Sequence, residues 1–104
     1  MNAKREIIDL LKLRNKEIKC ATILNGGSWF DDEDETILLK VGYSTEDYER
    51  FLREIDFDYN SGYGGQELFG TIWFKDGSWA VRGEYDGSEW WELCSLPKIP
   101  RELL

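Results

Sequence analysis

The first part of the chain carries two different hydrophobic patterns. Apolar residues recur at helical spacing between residues 3 and 14, and Asn15 is a favourable stop. The β-branched and apolar run from 18 to 24 is typical of a strand. The pattern therefore predicts a helix followed by a first strand, with a loop beginning at Asn25.

A second strand and helix follow an acidic run. Residues 36 to 43 alternate apolar and polar side chains and predict a second strand that extends to Tyr43. Ser44 is a good helix N-cap, and acidic side chains follow it near the positive end of the helix dipole. The buried side of this second helix is predicted to consist of Tyr48, Phe51, Leu52 and Ile55.

The C-terminal half has the clearest pattern. Strand-like runs at 68 to 74, 78 to 85 and 89 to 94 are separated by Asp76-Gly77 and Asp86-Gly87, and Asp-Gly favours a type I′ hairpin turn. This predicts a three-stranded antiparallel meander. We expect an α+β fold in one domain, residues 1 to 104. The meander and the two N-terminal strands form a single antiparallel β-sheet, with two helices packed on one face.

The net charge of -8 comes from one part of the chain. Residues 31 to 58 hold eleven acids and three bases, whereas the acids and bases of the other residues balance. The eleven acids are Asp31, Asp32, Glu33, Asp34, Glu35, Glu46, Asp47, Glu49, Glu54, Asp56 and Asp58. Such a cluster argues against direct binding to nucleic acid or to an anionic membrane and favours a basic protein or nucleoprotein partner. The alternative is that the acids serve solubility alone.

Few residues are suited to catalysis. The chain has no histidine, which excludes the usual serine triad and makes a zinc site improbable. Cys20 and Cys94 are expected to be buried thiols. The acidic run 31 to 35 lacks the alternating ligands and glycine of a calcium loop, and the glycines at 62 to 65 lack the Lys-Ser/Thr of a phosphate loop. We expect no metal, no cofactor and no enzymatic activity.

Two weaker candidates for chemistry or binding lie in the last two strands. Glu84, Glu89 and Glu92 lie among tryptophans, an arrangement from which a sugar-cleaving site can be built, although alternating charged and aromatic residues are ordinary strand patterning. Neighbours on a strand point to opposite faces. If Trp90 lies in the core, Trp91 therefore lies on the other face, as an interface anchor or beneath the glycine-rich loop.

Segments of the second half resemble small bacteriophage-encoded proteins. The resemblance rests on residues 59 to 73 (YNSGYGGQELFGTIW), residues 83 to 92 (GEYDGSEWWE) and Pro97-Lys98-Ile99-Pro100. It implies an inhibitor of host defence of the anti-CRISPR or anti-restriction type, in the host cytoplasm.

The N-terminus lacks the apolar run of a signal peptide, and no apolar stretch is long enough to span a bilayer.

The leading hypothesis is therefore a non-enzymatic inhibitor that docks an acidic patch into a basic nucleic-acid-binding surface of a host nuclease complex. Its expected partner-binding residues are ten of the eleven acids between residues 31 and 58, all except Asp47, together with Tyr63 and Trp91. The first alternative is a homo-oligomerising or partner-bridging module, such as a homodimer, that uses an exposed aromatic sheet face. The second is an immunity protein that neutralises a toxin.

Overall fold

The structure is a computed structural model that describes residues 1–26, 35–59, 67–85, 88–97 and 99–104. The helices are α1 (Ala3–Arg14) and α2 (Thr45–Glu54), and a short 3-10 helix spans Arg101–Leu103. The strands are β1 (Ile18–Asn25), β2 (Glu35–Leu39), β3 (Leu68–Phe74), β4 (Trp79–Tyr85) and β5 (Ser88–Cys94). All five lie in one antiparallel sheet in the order β2-β1-β3-β4-β5. The predicted α+β fold is confirmed.

Helix α1 begins and ends where the sequence indicates. The Asn2 side chain accepts a hydrogen bond from the Arg5 amide, which satisfies one of the free N–H groups of the first turn. Asn15 takes a left-handed conformation with φ 51° and ends the helix, because asparagine tolerates this region better than most residues. The N-terminal segment is also attached to residues 57–59: the Ala3 amide donates to the Phe57 carbonyl at 2.9 Å.

Strand β2 is shorter than predicted. It ends at Leu39, and Val41 is exposed in a turn in which Gly42 has φ 81°. The left-handed glycine breaks the extended run that the alternating pattern suggested would continue to Tyr43. The predicted cap of α2 is confirmed, since Ser44 and Asp47 exchange side-chain-to-backbone hydrogen bonds as a capping box.

The turn between β3 and β4 differs from the predicted type I′ geometry. The Phe74 amide donates to the Ser78 carbonyl at 2.9 Å, and the Gly77 amide donates to the Phe74 carbonyl at 3.2 Å. Gly77 has φ 89°, whereas Asp76 does not have the positive φ that a type I′ turn requires. The loop is thus three residues long, and the Asp76 carboxylate accepts from the Ser78 amide. The Asp86-Gly87 turn lies outside the described residues.

The core lies between the two helices and one face of the sheet. Ile7 of α1 and Phe51 of α2 are fully buried against the central strands. On the sheet the buried set alternates along each strand, as in Leu68, Ile72 and Phe74 of β3, which places every second side chain under the helices. The prediction that both helices pack on one face is therefore confirmed, and neither of them covers the opposite face.

Candidate functional site

The second face of the sheet follows from the strand register. Thr71 pairs with Thr22 and Val81, and Trp73 pairs with Cys20 and Trp79. We call this side the open face. Its members in the described strands are Cys20, Thr22, Leu24, Thr36, Leu38, Phe69, Thr71, Trp73, Trp79, Val81, Gly83, Tyr85, Ser88, Trp90, Glu92 and Cys94. Among these positions only Glu92 is charged, so the face is apolar and aromatic.

Large side chains on the open face are accessible to solvent. Trp73 and Trp90 are each 42% exposed, Phe69 is 38% exposed and Leu38 is 48% exposed. Ile72, which neighbours Trp73 in sequence and points to the helices, is completely buried. Isolated exposed apolar residues are normal on proteins, but a contiguous group on one sheet face marks an interaction surface.

The orientation of Trp90 is fixed by a glycine on the neighbouring strand. Gly83 pairs with Trp90, and a Cβ atom added to Gly83 would lie 2.5 Å from the indole ring. The ring therefore lies over the backbone of β4, in space that any other residue at position 83 would fill. The indole is thus in close contact with β4, and Trp90 still remains 42% exposed.

Trp91, the predicted interface anchor, lies on the helix side of the sheet. It is half-buried, packs against the core, and its ring lies 5.0 Å from the guanidinium carbon of Arg82. The ring of Tyr59 lies 5.5 Å from the same carbon. The exposed member of the tryptophan pair is therefore Trp90, the reverse of the starting assumption, because Trp90 pairs with Gly83 whereas Trp91 pairs with Arg82.

A buried ionic network surrounds Arg82 on that helix side. The Arg82 guanidinium donates to Glu6 Oε1 at 2.8 Å, to the Tyr59 hydroxyl at 3.0 Å and to Glu89 Oε1 at 3.2 Å. The Tyr59 hydroxyl also donates to Glu6 Oε2. The side chains of Arg82 and Glu89 are 2% and 0% exposed. Arg82 Nε and Trp91 Nε1 are buried with no hydrogen-bond partner in the described part of the chain.

The Glu89 carboxylate also completes the sheet. Pairing between β3 and β4 extends only to Thr71 and Val81, although β3 begins at Leu68. Glu89 accepts from the amides of Glu67 and Leu68 at 2.9 Å each, which are donors at the start of β3. A buried amide without an acceptor is costly, so this carboxylate holds the start of β3 on the side where its pairing with β4 has stopped.

Two members of the network, Tyr59 and Arg82, have shifted pKa values. Burial raises the pKa of Tyr59, and its hydrogen bond to Glu6 raises it further, so the hydroxyl stays protonated. Burial lowers the pKa of Arg82, but the hydrogen bond and charge of Glu6 outweigh this and the net shift is upward. The hydrogen bonds of Arg82 tie α1, residue 59, β4 and β5 together.

The glutamates considered for sugar cleavage do not converge on one cleft. Glu89 and Glu92 lie on opposite faces of β5, and Glu89 is completely buried and bonded to Arg82. Glu84 pairs with Glu89 across β4 and β5 on the helix side. Two carboxylates on opposite sides of a sheet cannot flank one glycosidic bond.

The predicted acidic residues are dispersed among several roles. Glu46 and Glu49 are exposed on α2, while Glu54 forms a 3.8 Å pair with Arg50. Asp56 and Asp58 each accept from the Asn2 side-chain amide, at 3.0 and 3.1 Å. Asp31, Asp32, Glu33, Asp34 and Tyr63 lie outside the described residues, and Glu35 is described only in its backbone as the first residue of β2.

Two features were missed by sequence reasoning. Both faces of β3 carry apolar side chains, so the alternation alone does not say which face the helices cover. Phe69 and Trp73 could have been named as candidate surface residues on this ground. Arg82 lies on the same face of β4 as buried Ala80. An arginine at such an inward position of a strand was the available signal for a buried ion pair. Cys20 and Cys94, expected to be buried, are half-buried free thiols on the open face, in the same row across the strands as Trp73 and Trp79.

In the described ranges no helix has the length and apolar character to cross a membrane, and no group of three or more metal-ligating side chains occurs there. Comparison of this chain with protein-family models, with curated proteins and with solved structures found no match.

Proposed function

We propose that this protein works by binding another protein chain through the open face, without catalysing a reaction. The observation that carries the proposal is the exposure of Trp73, Trp90 and Phe69 together on a sheet face with one charged position. Aromatic side chains are enriched where interfaces are fully buried, and charged side chains are depleted there.

The rigidity of the face supports the proposal. Trp90 is held over Gly83, and the far side of the sheet is fixed by the core and the Arg82 network. A side chain whose position is already fixed loses little entropy on binding, so more of its contact energy contributes to affinity.

The proposal is tested with a charge placed at the centre of the face. Thr71 lies on the central strand, and Thr71→Lys puts an ammonium group where a partner would bury it. Thr45→Lys makes the same exchange at an exposed position of α2 and serves as the matched control. The tagged full chain and both variants are used to capture proteins from cell extract supplemented with the untagged chain.

The expected result is that at least one protein, of any identity and including the untagged chain, binds the wild type and Thr45→Lys but not Thr71→Lys. Circular dichroism verifies that both variants are folded, and Trp73→Thr replaces Thr71→Lys if the latter unfolds. Identical captured sets for the wild type and a folded open-face variant would refute the proposal.

A second candidate function is favoured by the exposed side of α2. Glu46 and Glu49 are solvent-exposed there, and neither forms an ion pair with another described residue. The candidate is a phage-type, anti-CRISPR-like inhibitor that presents these acids to a basic nucleic-acid-binding surface of a nuclease complex in the host cytoplasm. Glu46→Lys/Glu49→Lys should then weaken nuclease inhibition more than Asp9→Lys/Glu102→Lys, which changes the net charge equally. Equal effects of the two pairs would exclude α2 as the contact.

A further inference from the structure

The outer edge of β5 presents a row of backbone hydrogen-bonding groups. Strand β5 pairs with β4 and is the last strand of the sheet. Tyr85 and Ser88 pair with only two residues between them, so they exchange both hydrogen bonds of a closely bonded pair. Because bonded pairs alternate along antiparallel strands, Trp91 and Leu93 direct their N–H and C=O groups away from β4. The backbones of these two residues form no hydrogen bond with a described residue beyond the sheet.

The two edges of the sheet differ in how they are protected. At the other edge β2 has five residues, and the Arg50 guanidinium donates to the Leu38 carbonyl at 3.3 Å. Strand β5 has seven residues, pairs with β4 without a bulge and contains no Lys, Arg or Pro. Proteins usually protect a long edge with such residues or with a bulge, because an unprotected edge pairs readily with another strand. The edge of β5 is therefore the one suited to the addition of a strand.

The side chains of β5 are complementary to a second β5 strand that runs antiparallel to the first. When the two strands are centred on Trp91, every residue of β5 has a partner in the other strand. Trp91 then meets Trp91 of the second copy, Trp90 lies opposite Glu92, and Glu89 lies opposite Leu93. Like charges do not meet in this register. A register centred on Glu92 instead would place two Glu92 carboxylates directly opposite each other, which opposes pairing.

We propose that two copies of this chain join through their β5 edges and form one continuous antiparallel sheet around a two-fold axis at Trp91. The Trp91 N–H of each copy donates to the Trp91 carbonyl of the other. The axis is perpendicular to the sheet, so the two open faces lie on the same side and adjoin each other. The inference goes beyond the proposed function, because the contact uses the strand edge and leaves both open faces uncovered.

The register is tested by a disulfide between copies. Ser88 of one copy lies opposite Cys94 of the other, with Cα atoms ~4.5 Å apart, whereas the same two residues within one strand are ~20 Å apart. A disulfide needs Cα atoms within about 7 Å. Ser88→Cys in a Cys20→Ser background should therefore give a covalent dimer with oxidised glutathione, which accepts the two electrons and two protons. Adding Cys94→Ser leaves one thiol per chain and should abolish the dimer band in non-reducing electrophoresis.

The backbone contact is tested by sedimentation equilibrium of the full chain, which measures the monomer–dimer dissociation constant. Proline is compatible with an edge position whose N–H faces outward, but it removes that donor and obstructs a second strand. Leu93→Pro should raise the dissociation constant about 100-fold, because one lost hydrogen bond corresponds to about tenfold and the two-fold axis repeats the loss. Leu93→Ala keeps the N–H and should change the constant less than about tenfold. Thr71→Lys, on the open face, should leave it unchanged.

The outcomes separate this inference from the proposed function. A wild type that stays monomeric at ~1 mM overturns the edge pairing and leaves the proposed function standing. A dimer that is loosened by Thr71→Lys but not by Leu93→Pro also overturns it, because the copies then meet through the open face. Equal effects of Leu93→Pro and Leu93→Ala would show that the backbone is not the contact. If Leu93→Pro does not fold by circular dichroism, the Ser88→Cys experiment decides, and its failure to give a covalent dimer refutes the pairing.

Discussion

Replacing Arg82 with methionine should destabilise the protein far more than replacing any exposed arginine. Methionine fills a similar volume but leaves three acceptors without their donor: Glu6, the Tyr59 hydroxyl and Glu89. The Glu89 side chain is the decisive one, since it is completely buried and loses its ion pair with Arg82, while it still accepts from the amides of Glu67 and Leu68. A buried charge without its counter-ion is among the most costly single defects in a protein.

The magnitude follows from burial. Breaking one partner of a buried ion pair costs about 3–5 kcal/mol, a large part of the ~5–15 kcal/mol that holds a small domain folded. Arg50→Met is the matched control, because Arg50 pairs with Glu54 at 3.8 Å and both side chains are at least 40% exposed. Loss of such a surface pair should cost less than about 1 kcal/mol.

The assay is urea unfolding followed by tryptophan fluorescence. With a slope of roughly 1.5 kcal/mol per molar urea, a loss of ~3 kcal/mol lowers the midpoint by about 2 M. Arg82→Lys should give an intermediate loss, because lysine keeps the charge but cannot reach three acceptors in a fixed fork. If the midpoint of Arg82→Met falls no further than that of Arg50→Met, the network does not stabilise the fold and the reasoning is wrong.

Three further predictions concern single positions. Gly70→Ala should destabilise the protein by about 1–3 kcal/mol, because the added Cβ at position 70 would lie 2.4 Å from the Thr22 carbonyl oxygen. The measurement is thermal unfolding, with Gly42→Ala as the comparison. Tyr59 has a raised pKa, caused first by burial, so the protonated hydroxyl adds stability that is lost as pH rises above about 10. The urea midpoint of Tyr59→Phe should therefore fall less at alkaline pH than that of the wild type. The pKa of Asp76 is lowered by its hydrogen bonds to Lys16 and Ser78, so its contribution is present above about pH 4 and lost on acidification. Asp76→Asn should flatten the decline of the midpoint below pH 4, and an unchanged decline would count against that pair.

Much of the fold was predictable because it depends on local features. The cap at Ser44, the stop at Asn15 and the apolar repeat of α1 are decided by residues within one or two turns of each other. Strand β2 and the first hairpin were predicted less well. Gly42, with its positive φ, ended β2 early. Gly77 has a left-handed conformation and Asp76 does not, so the hairpin loop has three residues, whereas the Asp76-Gly77 dipeptide suggested a two-residue loop.

The candidate site was predicted less well than the fold. That Trp90 and Trp91 point to opposite faces follows from strand geometry alone, but which of them faces the helices does not. The answer depends on Gly83 and Arg82, which lie on the neighbouring strand and meet the two tryptophans only through the register of β4 and β5.

The sequence by itself therefore determined the helices, the existence of five strands and the acidic excess between residues 31 and 58, since these depend on patterns along the chain. Tertiary structure alone decided that Glu6, Tyr59, Arg82 and Glu89 form one buried network, with sequence separations as large as 76 residues. It also decided that the exposed aromatic residues of the described strands, Phe69, Trp73, Tyr85 and Trp90, share one face. Both results depend on which sides of distant segments meet, and no local pattern contains that information.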